Sequence, residues 1–245
     1  MKSALFISMY QNYVFDFYGT LVDIRTDEEK LLLWEKMSEI YSAYGASYTA
    51  EELKQEYKYW VQKFTSELPE NGEPDLRRVF AELFWQKGVS CNSELVQNIG
   101  ITFRALSREK LNVYNKVKET LQELKNRGKG VYLLSNAQTD FTRPEIAMMG
   151  LVEYFDGIFI SSEIGYKKPS KIFYEKLLKA YDLDPSTSLM VGNDENADIA
   201  GAILMGMDSI YLHTECSPEL EGESKATYAV LDGDWEKVSE LLLSK

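Results

Sequence analysis

Four short stretches of this chain place reactive polar residues directly after apolar runs. Tyr13-Val-Phe15 runs into Asp16, and the turn pair Gly19-Thr20 follows at once. Val131-Tyr-Leu-Leu134 ends at Ser135-Asn136. Gly157-Ile-Phe-Ile160 leads within a few residues to Gly165-Tyr-Lys-Lys-Pro169. Leu189-Met-Val191 ends in Gly192-Asn-Asp-Glu-Asn-Ala-Asp198. A carboxylate nucleophile, a hydroxyl, a lysine and an acidic cluster gathered in one cleft suit displacement at a phosphoryl or similar electrophilic centre. Each group alone has a plainer reading. Asp16 caps its turn, and Ser135-Asn136 are turn residues. Lys167 and Lys168 are solvated charges before a helix-starting Pro169. Asp194 and Asp198 complement a helix dipole. Their repeated placement at the ends of apolar runs carries the joint signal.

That placement needs a fold that brings separate strand ends together. The runs at 131–134, 157–160, 189–191, 209–212 and 228–231 alternate with helical segments at about 141–149, 169–181, 196–205 and 234–243. Continuous apolar strands alternating with helices imply a parallel sheet covered on both faces, that is, a doubly wound α/β fold. In such sheets ligands bind at the carboxyl ends of the strands. The run at 13–17 has no nearby partner and belongs with this later sheet.

Between them, residues 24–112 read as helical. Leu33, Met37, Ile40 and Tyr44 share one helical face, and Gly45 follows as a stop. Thr49 and Glu52 form a capping box ahead of Leu53, Tyr57, Trp60 and Phe64. Leu76, Val79, Phe80 and Leu83 resume after Pro69 and Pro74. Trp60 and Trp85 are assigned to the core of this bundle. The expected organisation is an α/β core made of residues 1–23 and 113–245, with an all-α helical cap, residues 24–112, inserted after the first strand.

Composition limits the partners. The net charge of −12 argues against nucleic-acid and anionic-membrane partners, while leaving a small anionic substrate possible at a locally positive site. Cys91 and Cys216 read as reduced thiols of a cytoplasmic protein. His213 is the only histidine, so a Ser-His-Asp or Cys-His mechanism has nothing else to rest on. The N-terminal run in MKSALFISMYQN is too short for a signal peptide, and no stretch approaches a membrane span. The segment 214–226 reads as an exposed loop without a visible role.

The four stretches, in this order and with a helical insertion after the first, resemble the haloacid dehalogenase superfamily of hydrolases. The residues that carry the resemblance are DFYGTLVD, LLSN, GYKKP and VGNDENADIAGA. It implies Asp16 as nucleophile, forming a covalent aspartyl intermediate, with Thr20 in the same motif. Ser135 would donate to a substrate oxygen, flanked by Gly19, Tyr18 and Asn136 as substrate contacts. Lys168, in preference to Lys167, would neutralise charge. Asp16, Asp194 and the backbone carbonyl of Tyr18 would hold Mg²⁺, supported by Asn193 and Asp198. Two features pull apart. Phosphatases of the superfamily carry a second Asp where Tyr18 stands, and general acid–base help is worth ~10²–10⁴ in rate. Tyrosine there is what the metal-free 2-haloacid dehalogenases show; halide leaves without a proton. The Asp194–Asp198 cluster, however, is more than a metal-free dehalogenase needs. A dehalogenase would also need a cap arginine for the substrate carboxylate, and Arg25, Arg77, Arg78, Arg104 and Arg108 are candidates. The expectation is a Mg²⁺-dependent phosphomonoester hydrolase acting on a small phosphorylated molecule. The alternatives are a 2-haloacid dehalogenase and a binding module with little turnover.

Overall fold

The structure is a computed structural model that describes residues 10–244; the N-terminal apolar run lies outside the described residues. Strand β1 (Asn12–Phe15) is followed by an antiparallel ribbon of β2 (Val22–Thr26) and β3 (Arg108–Val113). Helices α1 (Leu31–Ala43), α2 (Ala50–Ser66), α3 (Leu76–Trp85) and α4 (Ser93–Ser107) lie between the ribbon's two strands. After the ribbon come α5 (Val117–Asn126), β4 (Gly130–Ser135), α6 (Thr139–Met148), β5 (Gly157–Ile160), the short turn α7 (Ser161–Ile164) and α8 (Lys171–Ala180). The chain ends with β6 (Ser188–Gly192), a wide π turn (Glu195–Ile199) continuing into α9 (Ala200–Met205), then β7 (Asp208–Leu212), β8 (Tyr228–Val230) and α10 (Trp235–Leu243).

Six strands form one parallel sheet in the order β5-β4-β1-β6-β7-β8. Strand β1 is central because alternate residues must be buried on both of its faces. Tyr13 and Phe15 join Val131, Leu133, Leu189 and Val191 against α5 and α10. Val14 joins Tyr132, Leu134 and Met190 against α8 and α9. The chain leaves β1 toward β4 on one side and returns to β6 on the other. The crevice at the carboxyl end of β1 is therefore a topological switch point, where open α/β sheets bind ligands.

Helices α1–α4 pack around a core of their own. The capping box on α2 is present, with Glu52 N–H donating to Thr49 Oγ1 at 3.2 Å and Thr49 N–H to Glu52 Oε2 at 2.8 Å. Such a cap stabilises by about 1 kcal/mol. Leu53, Tyr57, Trp60 and Phe64 form the buried face as expected. Two expected core residues are not in the core. Tyr44 is 54% exposed because α1 ends at Ala43, and Trp34 and Tyr41 fill its place. Trp85 is also 54% exposed; it follows the buried Phe84 and points a third of a turn away.

The ribbon replaces two stretches read as part of the helical region. Its strands set Val22 and Ile24 opposite Val113 and Leu111 and carry Arg25–Glu109 and Lys110–Asp23 pairs; with two apolar residues in each strand, the alternation is too short to stand out among the flanking charges. At its inner end Val22 bridges to Tyr18 and accepts the Gly19 N–H at 2.8 Å. Among the described residues no helix is long and apolar enough to cross a membrane.

Candidate active site

Asp16 sits one residue past β1, its N–H bonded to Val191 O at 2.9 Å on the neighbouring strand. Its side chain is almost buried and meets a lysine that reaches up from below. Lys168 Nζ is 2.6 Å from Asp16 Oδ1 and 2.7 Å from Asp198 Oδ1, and it donates to Leu134 O at 2.7 Å. Burial alone would push Lys168 toward neutrality. The two carboxylates outweigh it and hold its pKa above the ordinary value, so the ammonium is charged. Asp198 is fully buried, which pushes its pKa up to about 7 against the opposing pull of Lys168. Its other oxygen accepts the Asp194 N–H at 3.0 Å, so it braces the loop after β6. Gly192 allows this: a Cβ there would collide with the Asp198 side chain.

Thr20 Oγ1 lies 3.3 Å from both Asp16 Oδ2 and Asn193 Oδ1. Asn193 has its other end directed to Ser217 Oγ, with Nδ2 at 3.4 Å. Gly19 has φ +79°, and a Cβ there would meet the Asn193 amide and lie 2.8 Å from Cys216 Cβ. Ser135, at the last position of β4, is 1% exposed, and its hydroxyl has no hydrogen-bond partner among the described residues. Asn136 clamps the lysine loop, accepting from Lys168 N–H at 2.7 Å and donating to Lys168 O at 3.1 Å. Lys167 takes no part in the cluster; its N–H pairs with Asn71 O on the cap.

A cavity of about 180 Å³ opens above this cluster. Asp16, Tyr18, Asn136, Lys168, Asn193, Asp194 and Asp198 all line it. Asp194 uses Oδ1 to accept from Asn196 and Ala197 N–H, at 2.8 and 3.0 Å, at the start of the π turn. Its second oxygen is not used in those bonds. The donor set is two carboxylates, Asp16 and Asp194, and nearby backbone oxygen. This is hard oxygen chemistry of the kind Mg²⁺ takes with one or two carboxylates and water. Asn193 and Asp198 have their side-chain oxygens engaged within the protein.

Tyr18 turns its phenol away from Asp16. Its hydroxyl donates to Glu145 Oε2 at 2.5 Å and lies 3.1 Å from Thr142 Oγ1, both on α6. Burial, then the Glu145 charge, pushes this phenol above its ordinary pKa. Glu145 is 2% exposed and also accepts from Arg104 at 2.9 and 3.2 Å and from Arg108 at 2.9 Å. The Arg104 guanidinium stands 5.1 Å from the Tyr18 ring centre. Nearby, Arg77 pairs with the buried Asp140, and Gln138 joins α6 to Glu73, Pro74 and Leu76. Nothing in the spacing of the sequence pointed to Glu145, although a buried phenol needs an acceptor.

The segment 214–226 is largely exposed, as expected, but its first residues reach the site. Thr214 is buried and donates to Gly19 O at 2.9 Å; Cys216 and Pro218 line the cavity. Its Ser/Thr/Glu-rich composition resembles a solvated loop, which hid the contact.

The profile of haloacid dehalogenase-like hydrolases matches residues 10–206. The chain belongs to this family. By sequence it is 30% identical to the ribulose-1,5-bisphosphate 5-phosphatase of Halopiger xanaduensis over 46% of this chain and 47% of that protein. It is 28% identical to the phosphoserine phosphatase of Thermus thermophilus over 60% of this chain and 57% of that protein. The matched stretches thus span about half the length of these relatives. By fold it is similar to a 2-haloacid dehalogenase from Pseudomonas syringae, with TM-score 0.66, 18% identity and coverage of 96% of this chain and 98% of that one. It is similar also to a HAD phosphatase from Thermococcus onnurineus, with TM-score 0.63, 17% identity and coverage of 96% and 99%. The family's α/β fold is the one described above, and the family's members are hydrolases.

Proposed function

We propose that this haloacid dehalogenase-like hydrolase is a Mg²⁺-dependent phosphatase that cleaves a small phosphomonoester through an aspartyl-phosphate on Asp16. The observation that carries the reading is the shared cavity of Asp16 and Asp194 above a charged, buried Lys168. A carboxylate approaching an anionic phosphate needs compensating positive charge. The relatives by sequence are phosphatases of phosphorylated metabolites.

In the proposed reaction an Asp16 oxygen bonds to phosphorus as the bond to the leaving oxygen breaks. Lys168 neutralises charge on Asp16 and on the phosphoryl group, and the unpartnered Ser135 hydroxyl donates to a phosphoryl oxygen. Mg²⁺, held by Asp16, Asp194 and the Tyr18 carbonyl, would supply further electrostatic stabilisation of the transferring group. Asn193 and Asp198 serve as braces: Asn193 for the Thr20 side of the loop, Asp198 for Lys168 and Asp194. The leaving oxygen takes its proton from solvent, because the Tyr18 hydroxyl donates to Glu145 and burial keeps it a weak acid. Water then attacks the phosphoryl group, returning Asp16.

Incubation with an aryl phosphate tests this. Phosphate release that needs Mg²⁺ and is abolished in Asp16→Asn is expected. Release unaffected by a chelator or by that substitution refutes it. The second reading, 2-haloacid dehalogenation, is favoured by Tyr18 in the first motif; halide release from a short 2-haloacid in the presence of chelator is its signature. Against it, Arg77, Arg104 and Arg108 are each tied to a buried carboxylate.

A further inference from the structure

We propose that the substrate is a phosphomonoester whose leaving group bears no second anionic group, and that Glu145 sets this selectivity by engaging Arg104 and Arg108 in its own hydrogen bonds. The inference rests on the phosphatase reading and adds a substrate class to it.

To bind a bisphosphate or a carboxylated phosphomonoester, a site needs a cation beyond those that handle the transferring phosphoryl group. Among the described residues lining the cavity, Lys168 is the one cation, and it is already shared by Asp16 and Asp198. The cations at the edge of the cleft are also committed. Arg104, over the Tyr18 ring that walls the cavity, sends Nε and a terminal nitrogen to Glu145. Arg108 bonds to the same carboxylate. Farther along the seam Arg77 pairs with Asp140, which is 6% exposed, and Arg143 pairs with Glu163. Lys167 lies outside the cavity lining, with its backbone N–H paired to Asn71 O. Glu145 and Asp140 are buried, so these pairs are little screened and a substrate carboxylate does not readily displace them. The whole molecule carries a net charge of −12, which repels each added negative charge on a ligand.

Glu145 is thus a positioning residue: it acts through the arginines and through Tyr18. A neutral leaving group, such as a polyol or nucleoside hydroxyl, meets polar groups and pays no such repulsion. A leaving group with its own carboxylate or phosphate finds no uncommitted side-chain cation among the described residues lining the cavity.

The test uses the full chain with saturating Mg²⁺ at constant ionic strength. Matched substrates differ by one carboxylate: 2-hydroxyethyl phosphate against phosphoglycolate, glycerol 3-phosphate against 3-phosphoglycerate, and phenyl phosphate against 4-carboxyphenyl phosphate. We expect the neutral member of each pair to have kcat/KM about tenfold higher, mostly through KM. Equal or better turnover of the carboxylated member in any pair overturns the inference and leaves the phosphatase reading standing. Phosphate release from none of the six overturns that reading, and this inference with it. In Glu145→Gln, KM for the carboxylated members should fall about threefold or more relative to the neutral ones. A folded Glu145→Gln protein with unchanged selectivity removes Glu145 from the proposal; where that variant does not fold, Arg108→Gln, which leaves Glu145 with one arginine partner, should widen the gap between the members of each pair, and an unchanged gap removes Glu145 likewise.

Discussion

Replacing Ser135 by alanine removes a hydroxyl that the fold does not use. The residue is 1% exposed, and its oxygen has no hydrogen-bond partner among the described residues. An unpaired buried polar group costs about 1–3 kcal/mol. Removing one oxygen opens little space, so the substitution relieves that cost with a small packing loss. We expect the folding free energy to be unchanged or raised by up to about 1 kcal/mol, which for a chain of this size is a rise in Tm of about 2–4 °C. Activity should move the opposite way. A preorganised donor aimed at a developing negative oxygen is worth about 10²–10³ in kcat, and Ser135 is proposed as that donor. Urea unfolding followed by tryptophan fluorescence reads the first effect, and initial rates on an aryl phosphate read the second. A stability loss above about 1 kcal/mol would show that the hydroxyl supports the fold. A stable variant with wild-type kcat would show that it does not touch the reacting group.

Lys168→Met should cost about 3–5 kcal/mol, because Asp16 and Asp198 lose their shared counter-charge in a buried site. Adding Asp198→Asn should restore part of it, with a coupling of at least about 0.5 kcal/mol in urea unfolding; strict additivity would contradict the triad. Gly19→Ala should destabilise by about 1–2 kcal/mol from its left-handed backbone alone, and more from the clash with Asn193 and Cys216; an unchanged melting curve would contradict this. Tyr18→Asp should raise hydrolysis of alkyl phosphates more than of aryl phosphates, since only the former need a proton on the leaving oxygen; equal gains on both would mean that the missing acid is not the limit. The buried phenols Tyr18, Tyr41, Tyr57 and Tyr174 all have raised pKa values, chiefly from burial. The unfolded chain sheds these protons above about pH 10 while the native protein keeps them. Their contribution is full below that pH and is lost as pH rises through it, so unfolding midpoints should fall steeply in strong alkali; a flat profile would contradict it.

The sheet was legible because each of its strands is a short apolar run, and the five runs after residue 130 all fall on observed strands. The polar residues that gather at the cleft were legible for a related reason: at a strand's carboxyl end the apolar pattern stops abruptly, and Asp16, Ser135 and Asp194 stand at or near those stops. Other parts of the site leave no such trace. Glu145 lies on a helix among ordinary charged residues, and its partners Tyr18, Arg104 and Arg108 are 127, 41 and 37 positions away. The 214–218 stretch is polar by composition and touches the site through single contacts, Thr214 to Gly19 and Ser217 to Asn193, that composition does not show. The β2–β3 ribbon has only two apolar residues in each strand, Val22 and Ile24 against Val113 and Leu111, among charged neighbours, which is too short an alternation to register. Pairwise, long-range and polar contacts of this kind are what a single sequence encodes least visibly.

Both strands that carry the helical lobe leave from the turn beside the nucleophile. Val22, the first residue of the outgoing strand, is fastened to Tyr18 and Gly19, and Val113 of the returning strand is registered directly against it. Displacing that lobe would therefore load the turn that follows Asp16, so in the proposed phosphatase the seat of the helices and the aim of the carboxylate would be linked through Val22.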